Sequence, residues 1–290
     1  MKVLFVINPK SGVQSGDSIE DLIQQQAEQS DFQFRLYHMR GNDEKAVKEL
    51  ISEYQPDCVA AAGGDGTVNM VAGLLAQSNI YLLIIPSGSA NGMAKELDIS
   101  RVEQSISLLE TGRQKKIDLI SINGRISIHL ADVGLNARIV KRFEADSRRG
   151  ILTYARHMFG EIFLMKRYKF YITADGRQIK RTAVSLTFAN ASKYGTGAVI
   201  NPHGKLDDGL FELVIIKPFP DIKILSIAWK MFLNKLHTSD YVEVIHAKEA
   251  HVRCSRRTTL QIDGEVIGKV KDFNIKMLHN ALNVLVPNEG

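Results

Sequence analysis

Ala60-Ala61-Ala62-Gly63-Gly64-Asp65-Gly66-Thr67-Val68-Asn69 runs a stretch of small apolar residues directly into a glycine turn that holds one carboxylate. Cys58 to Ala62, bounded by Gln55-Pro56-Asp57, predicts a short central strand of a parallel sheet. Gly63, Gly64 and Gly66 permit positive φ and leave no Cβ to block a phosphate approaching the main-chain N–H groups. Val68, Val71, Leu74 and Leu75 then recur at helical spacing, so the turn opens a helix from Thr67 whose N-terminus attracts anions. Asp65 is unexpected in an anion cradle, and it makes sense there if it reaches a metal ion that bridges to the phosphates. An ordinary tight turn in which Asp65 caps the helix is the alternative.

Upstream, Val3 to Ile7 is a continuous apolar strand that ends in Asn8-Pro9-Lys10-Ser11-Gly12, a turn compatible with phosphate contact. A helix over 18–29, a strand over 32–39 and an amphipathic helix over 43–54 follow. Downstream, Tyr81 to Ile85 is a fourth buried strand, closed by Pro86-Ser87-Gly88-Ser89-Ala90-Asn91-Gly92. Glycine-rich, hydroxyl-bearing loops thus follow consecutive strands, and in a parallel sheet with helical crossovers they share the carboxyl edge where open α/β sheets bind ligands. From Lys116 the texture changes to short strands separated by Asn-Gly, Asp-Gly and Gly-rich turns, which predicts an antiparallel sandwich. Two apolar helical patches interrupt it, 151–166 and 221–236. Both read as core, or as a membrane-facing surface where Lys223, Lys230 and Lys235 flank the second.

The 290 residues suit two domains with sizeable cores. A net charge of +5 favours anionic partners, but the basic residues come in scattered pairs, which disfavours nucleic acid. Cys58 and Cys254 sit inside strand patterns without metal-ligand spacing, as suits a reducing compartment. No apolar run approaches the roughly 20 residues of a membrane span. A cytoplasmic protein that visits membrane surfaces is therefore expected.

These motifs, with Lys205-Leu206-Asp207-Asp208-Gly209-Leu210 and Ile262-Asp263-Gly264-Glu265, resemble in kind and order the diacylglycerol kinase catalytic family in its small bacterial form, with relatives among sphingosine (long-chain-base) kinases. The resemblance spans nearly the whole chain. It implies an α/β protein of two domains: a doubly wound parallel sheet related to phosphofructokinase and NAD kinase over 1–116, to which 281–290 returns, and a β-sandwich for the lipid substrate over 117–280. It also implies an ATP-dependent lipid kinase. Asn8, Pro9, Lys10, Ser11, Gly12, Gly63, Gly64, Asp65, Gly66, Thr67, Val68, Asn69 and Ser89 would hold ATP, with Asp65 in the Mg²⁺ network. Glu265 would be the general base, Asp263 the second choice. Lys205, Asp208 and Leu210 would form a structural Mg²⁺ site, Asp208 by its side chain and the other two by carbonyls; a simple turn is the alternative there. Family members often dimerise, so a homodimer is allowed.

The sequence departs from the family at Met70, where Glu commonly follows the Asn, at Gly92, where Asp is usual, and at Arg40, where a Thr is expected. The first two remove carboxylates near the metal. The acceptor therefore stays open among diacylglycerol-like, phosphatidylglycerol-like and sphingoid lipids. NAD kinase is the enzymatic alternative, and a nucleotide- or lipid-binding regulator without catalysis is the non-enzymatic one.

Overall fold

The computed structural model describes residues 1–9, 18–30, 32–41, 43–134, 166–193 and 199–288. The chain divides into two units, one of Met1–Ile117 with Asn280–Gly290 and one of Asp118–His279. Lys10, Ser11, Gly12 and residues 151–165 of the first apolar patch lie outside the described residues.

The first unit is a parallel sheet with helical crossovers. Strands β1 (Lys2–Ile7), β2 (Gln33–His38), β3 (Cys58–Gly63) and β4 (Tyr81–Pro86) pair in the order β4-β3-β1-β2, all parallel. Helices α1 (Ile19–Gln29), α2 (Glu44–Tyr54), α3 (Asp65–Leu75), α4 (Gly92–Glu96) and α5 (Val102–Thr111) fill the connections. The central strands are continuous apolar runs, buried along nearly their whole length, as expected of strands covered on both faces. Ser18 starts α1 with a capping box, its Oγ accepting from Asp21 N and its own N–H reaching the Asp21 carboxylate. The last strand, β14 (Glu265–Val286), ends in this unit, where Asn283 and Val284 pair in parallel with Tyr81 and Leu82 of β4.

The second unit is antiparallel. Its strands are the second half of β5 (Arg113–Ile122), β6 (Arg125–Ser127), β7 (Leu130–Gly134), β8 (Tyr168–Ala174), β9 (Arg177–Ala183), β10 (Ser185–Ala189), β11 (Phe211–Ile216), β12 (Val242–Ala247), β13 (Glu249–Ile262) and most of β14, with helix α6 (Ile224–Phe232) between β11 and β12. β13 ties the layers together. Ala250–Cys254 pairs with β8, which carries β9, while Leu260–Ile262 pairs with β7 at the head of the run β7-β10-β11-β12. An irregularity between Arg253 and Thr258 lets one strand serve both partners. Alternate residues of β8 point inward, so Tyr168, Phe170 and Ile172 meet Phe188, Phe211 and Phe273 in one apolar core.

Arg181 on β9 holds Glu243 on β12 through paired nitrogens at 2.8 to 3.0 Å, with the Lys217 ammonium 3.4 Å away. The Arg181 guanidinium keeps the Glu243 carboxyl below the usual carboxylate range. A lowered carboxyl contributes stability above its unfolded value that is lost as pH falls through the folded one. Glu243→Gln is therefore expected to cost about 0.5–1 kcal/mol at neutral pH for this partly solvated pair. The deficit should vanish in acid below the carboxylate range, as measured by denaturant titration at both pH values. No helix among the described residues is long and apolar enough to cross a membrane.

Candidate active site

Because β1, β3 and β4 are adjacent and parallel, the loops after them leave from one edge. The ladder continues a step into those loops, with Asn8 N donating to Ala62 O (2.9 Å) and Ser87 N to Gly63 O (3.2 Å). Asn8 Nδ2 then donates to Thr67 Oγ1 at 3.2 Å. In the loop after β4, Gly88 N donates to Asn91 Oδ1 (2.9 Å) and Asn91 Nδ2 returns to Gly88 O (2.8 Å), a closed ring with Asn91 in the left-handed region. The structure thus brings Asn8, Gly63, Gly64, Asp65 and Thr67 together with the Ser87–Asn91 loop. Pro9 is exposed at the end of the described stretch, and Ser89 is exposed at the loop tip.

The glycines work through space. Gly63, Gly64, Gly66 and Gly88 do not take a positive φ. A Cβ on Gly63 would overlap the Thr67 side chain. A Cβ on Gly88 would fall inside van der Waals contact of Gly64 Cα and 3.0 Å from its nitrogen, so the two loops pass backbone against backbone. A Cβ on Gly66 would meet nothing within 4 Å, so its main chain faces open space.

Helix α3 begins at Asp65, with Gly64 as an N-cap that supplies no side-chain acceptor. Its first N–H groups point out of the helix end, as an anion site requires. Asp65 does not serve as that cap: its Oδ1 accepts from Met93 N of α4 at 3.2 Å. Val68 is buried and spends its N–H on Gly64 O (3.1 Å), so it serves the helix. Asn69 Oδ1 is buried without a hydrogen-bond partner among the described residues. Asp65 is the carboxylate of the Gly63–Asn69 turn, with Met70 and Gly92 beside the site as non-carboxylates. A single carboxylate suits Mg²⁺, which keeps waters and substrate phosphates as its other ligands.

In the second unit the Asp263-Gly264-Glu265 turn separates its carboxylates sharply. Asp263 is buried, and its Oδ1 accepts from Ser127 Oγ (2.8 Å), His129 N (3.1 Å) and Leu130 N (2.8 Å) while Oδ2 accepts from Ile128 N (2.9 Å). Burial pushes this carboxyl up, and the His129 charge with the Ile128, Leu130 and Ser127 donors pulls it back. A carboxylate so engaged locks the β6–β7 loop to the β13–β14 turn. Glu265 is exposed at the first position of β14, opposite Ile262.

A second anchor holds the same turn. Gly264 N donates to Gln261 Oε1 (2.7 Å), Gln261 Nε2 donates to Asp132 Oδ2 (2.5 Å), and Thr187 Oγ1 donates to Asp132 Oδ1. Asp132, Thr187 and Gln261 are all buried. Sequence reasoning missed them, since Gln261 and Asp132 lie 129 residues apart and nothing local marks either.

The Lys205–Leu210 turn shows the features of a self-closed loop, with Asp208 Oδ1 accepting from Leu210 N at 3.0 Å and Gly209 at φ 75°. It is pinned to Asp118, another buried residue missed in the sequence: Gly209 N donates to Asp118 Oδ2 (2.6 Å), Asp118 N donates to Leu206 O (2.6 Å), and His279 Nδ1 lies 2.8 Å from Asp118 Oδ1. Lys205 and Asp208 are exposed and Leu210 is half-buried. Nearby, burial lifts the Glu212 carboxyl to about 7, although Asn201 Nδ2 donates to it at 2.5 Å. No cluster of three His, Cys, Asp or Glu placed to hold a metal occurs among the described residues.

The diacylglycerol kinase catalytic domain matches residues 2–122, and the YegS C-terminal NAD kinase beta sandwich-like domain matches residues 130–286. A diacylglycerol kinase of Bacillus subtilis is 25% identical, aligned over 98% of this chain and 96% of its own length; one from Staphylococcus epidermidis is 28% identical over 84% and 78%. An uncharacterized Synechocystis protein is 27% identical over 80% of this chain, which spans about half, 55%, of that relative. A crystal structure of a diacylglycerol kinase from Bacillus anthracis has the same fold, with a TM-score of 0.74 at 19% identity, over 98% of this chain and 96% of that one. Matched through both its parallel-sheet unit and its sandwich, the chain belongs to the diacylglycerol kinase catalytic-domain family of lipid kinases.

Proposed function

We propose that this lipid kinase takes its phosphate from ATP and delivers it to the hydroxyl of a diacylglycerol-like, phosphatidylglycerol-like or sphingoid lipid. The observation that carries this reading is the backbone apposition of Gly64 and Gly88 at the uncapped start of α3. Such a set of main-chain N–H groups suits a polyphosphate. Residues 1–116 with 281–290 form the nucleotide domain and 117–280 the lipid domain. Asn8 to Gly12, the Gly63–Asn69 turn and Ser89 hold the nucleotide, Val68 through the helix it supports, and Asp65 holds Mg²⁺. Bound there, Mg²⁺ supplies charge neutralisation for the phosphates. Lys205, Asp208 and Leu210 take a structural cation.

Phosphoryl transfer needs alignment and electrostatic support more than covalent help. Glu265 receives the acceptor hydroxyl's proton. The acceptor oxygen then forms its bond to the γ-phosphorus as the bond from that phosphorus to the β,γ-bridging oxygen breaks, and ADP leaves with the electron pair. Access to lipid requires the protein to meet a membrane surface from the cytoplasmic side, and it does so as a monomer or homodimer.

Met70 and Gly92 favour a second reading, a nucleotide- or lipid-binding regulator without turnover. Transfer of labelled γ-phosphate to a panel of dispersed lipids, with NAD as a control acceptor, separates the two. The expected result is one labelled lipid class, with Asp65→Asn lowering the rate at least tenfold through lost metal positioning. ATP binding without transfer to any acceptor would favour the regulator, and labelled NAD would point to the NAD kinase chemistry.

A further inference from the structure

Helix α6 and the 3-10 turn before it (Asp221–Lys223) carry an apolar surface that the sandwich does not use. Ile222 is 86% exposed, Trp229 66% and Leu233 48%. With exposed Ser226 they follow one another at intervals of four, three and four residues, so they form one stripe along the helix. Another side anchors it: Ile227 is buried against Leu130, Val214 and Phe219, and Met231 packs on the same cluster. Single exposed apolar residues are ordinary, but three large ones on one face, a tryptophan among them, mark an interaction surface.

The charge around the stripe is one-sided. Residues 221–235 contain Lys223, Lys230 and Lys235 against the single acid Asp221. Lys223 and Lys235 are exposed, and Lys230 Nζ is held by Thr238 O at 3.1 Å. An apolar face with Trp and flanking lysines has the composition of a helix that lies in a bilayer interface. A second copy is the competing occupant. A two-fold contact through this stripe would set the lysines of both copies against each other, which opposes it.

We propose that this face docks the enzyme on an anionic bilayer, with Ile222, Trp229 and Leu233 entering the boundary between headgroups and acyl chains and Lys223 and Lys235 meeting lipid phosphates. The proposal rests on the reading that the phosphate acceptor is a lipid. The patch is short, so binding is reversible and depends on anionic lipid and low salt.

Trp229 is the chain's one tryptophan, so its emission reports on this face alone. With the full chain, phosphatidylcholine vesicles containing phosphatidylglycerol should shift the emission to the blue, and salt or pure phosphatidylcholine should reverse the shift. Lys223→Gln with Lys235→Gln should weaken vesicle binding on the order of tenfold. Trp229→Ser with Leu233→Ser should abolish co-sedimentation yet leave phosphorylation of detergent-dispersed lipid unchanged. Absence of any shift at low salt overturns the proposal, as does co-sedimentation without a shift, which would assign another surface. Emission already blue in buffer and moving red on dilution would give the face to a second copy and also overturn it. If the shift appears but no dispersed lipid is phosphorylated, docking stands and the lipid-acceptor reading falls.

Discussion

Glu265→Gln is expected to slow phosphoryl transfer by about 10²- to 10⁴-fold, the usual span for losing a general base, with the unfolding midpoint essentially unmoved. The residue is exposed at the start of β14, so its neutral isostere breaks no interior contact. Asp263→Asn, two positions away, should behave in the opposite way. The oxygen replaced by an amide group would turn a donor toward Ile128 N, or toward the three donors on the other side. Leaving buried donors unpaired costs about 1–3 kcal/mol each, so the midpoint falls and activity follows it down. Steady-state rates and denaturant melts on both variants make the comparison. A Glu265→Gln enzyme that keeps more than about a tenth of its rate would remove Glu265 from the base role. An Asp263→Asn protein as stable as its parent would show that the four-donor clamp does not support the turn.

The contrast between these carboxylates shows what a sequence can carry. Strand β3, its glycine turn and α3 were legible because a buried run, a turn and a 3.6-residue period are local signals. The sandwich was legible as a class, but its longest strands were not. Short strands between turns are expected from the sequence, whereas β13 and β14 run for 14 and 22 residues. Ser255-Arg256-Arg257 is exposed strand at the irregularity between Arg253 and Thr258, and Asn280 kinks β14 at φ 52° without ending it. Most of β9 was missed because it is charged along its length, with Ile179 packing on the core, as suits a strand paired to β8 alone. In the candidate site, the loop residues and Glu265 were named from motifs. The supports, Asp132, Gln261, Asp118 and the Ser127–Leu130 segment, are set by contacts across more than 90 residues, which no window of sequence displays.

Gly88→Ala should damage the first unit where Gly66→Ala spares it. At position 88 the added methyl meets Gly64 main-chain atoms, which have no rotamer by which to yield, so the loops after β3 and β4 must part. That movement would pull Asn91 away from the Gly88 main chain and disturb the segment leading to Met93, whose N–H holds Asp65. We expect ATP affinity to fall at least tenfold, with a loss of about 1–3 kcal/mol in stability. At position 66 the methyl enters open space within the first turn of α3, where alanine is the better helix former by up to about 1 kcal/mol. Gly66→Ala should therefore melt no earlier than the parent. If its ATP affinity nevertheless falls, the space beside Gly66 is where the nucleotide lies; if affinity is unchanged, the ligand approaches the Gly64 side of the turn instead. Nucleotide titration and thermal melts on the two variants separate these outcomes. A Gly88→Ala protein that binds ATP like its parent would mean that the close passage of the two loops is not what holds the phosphates.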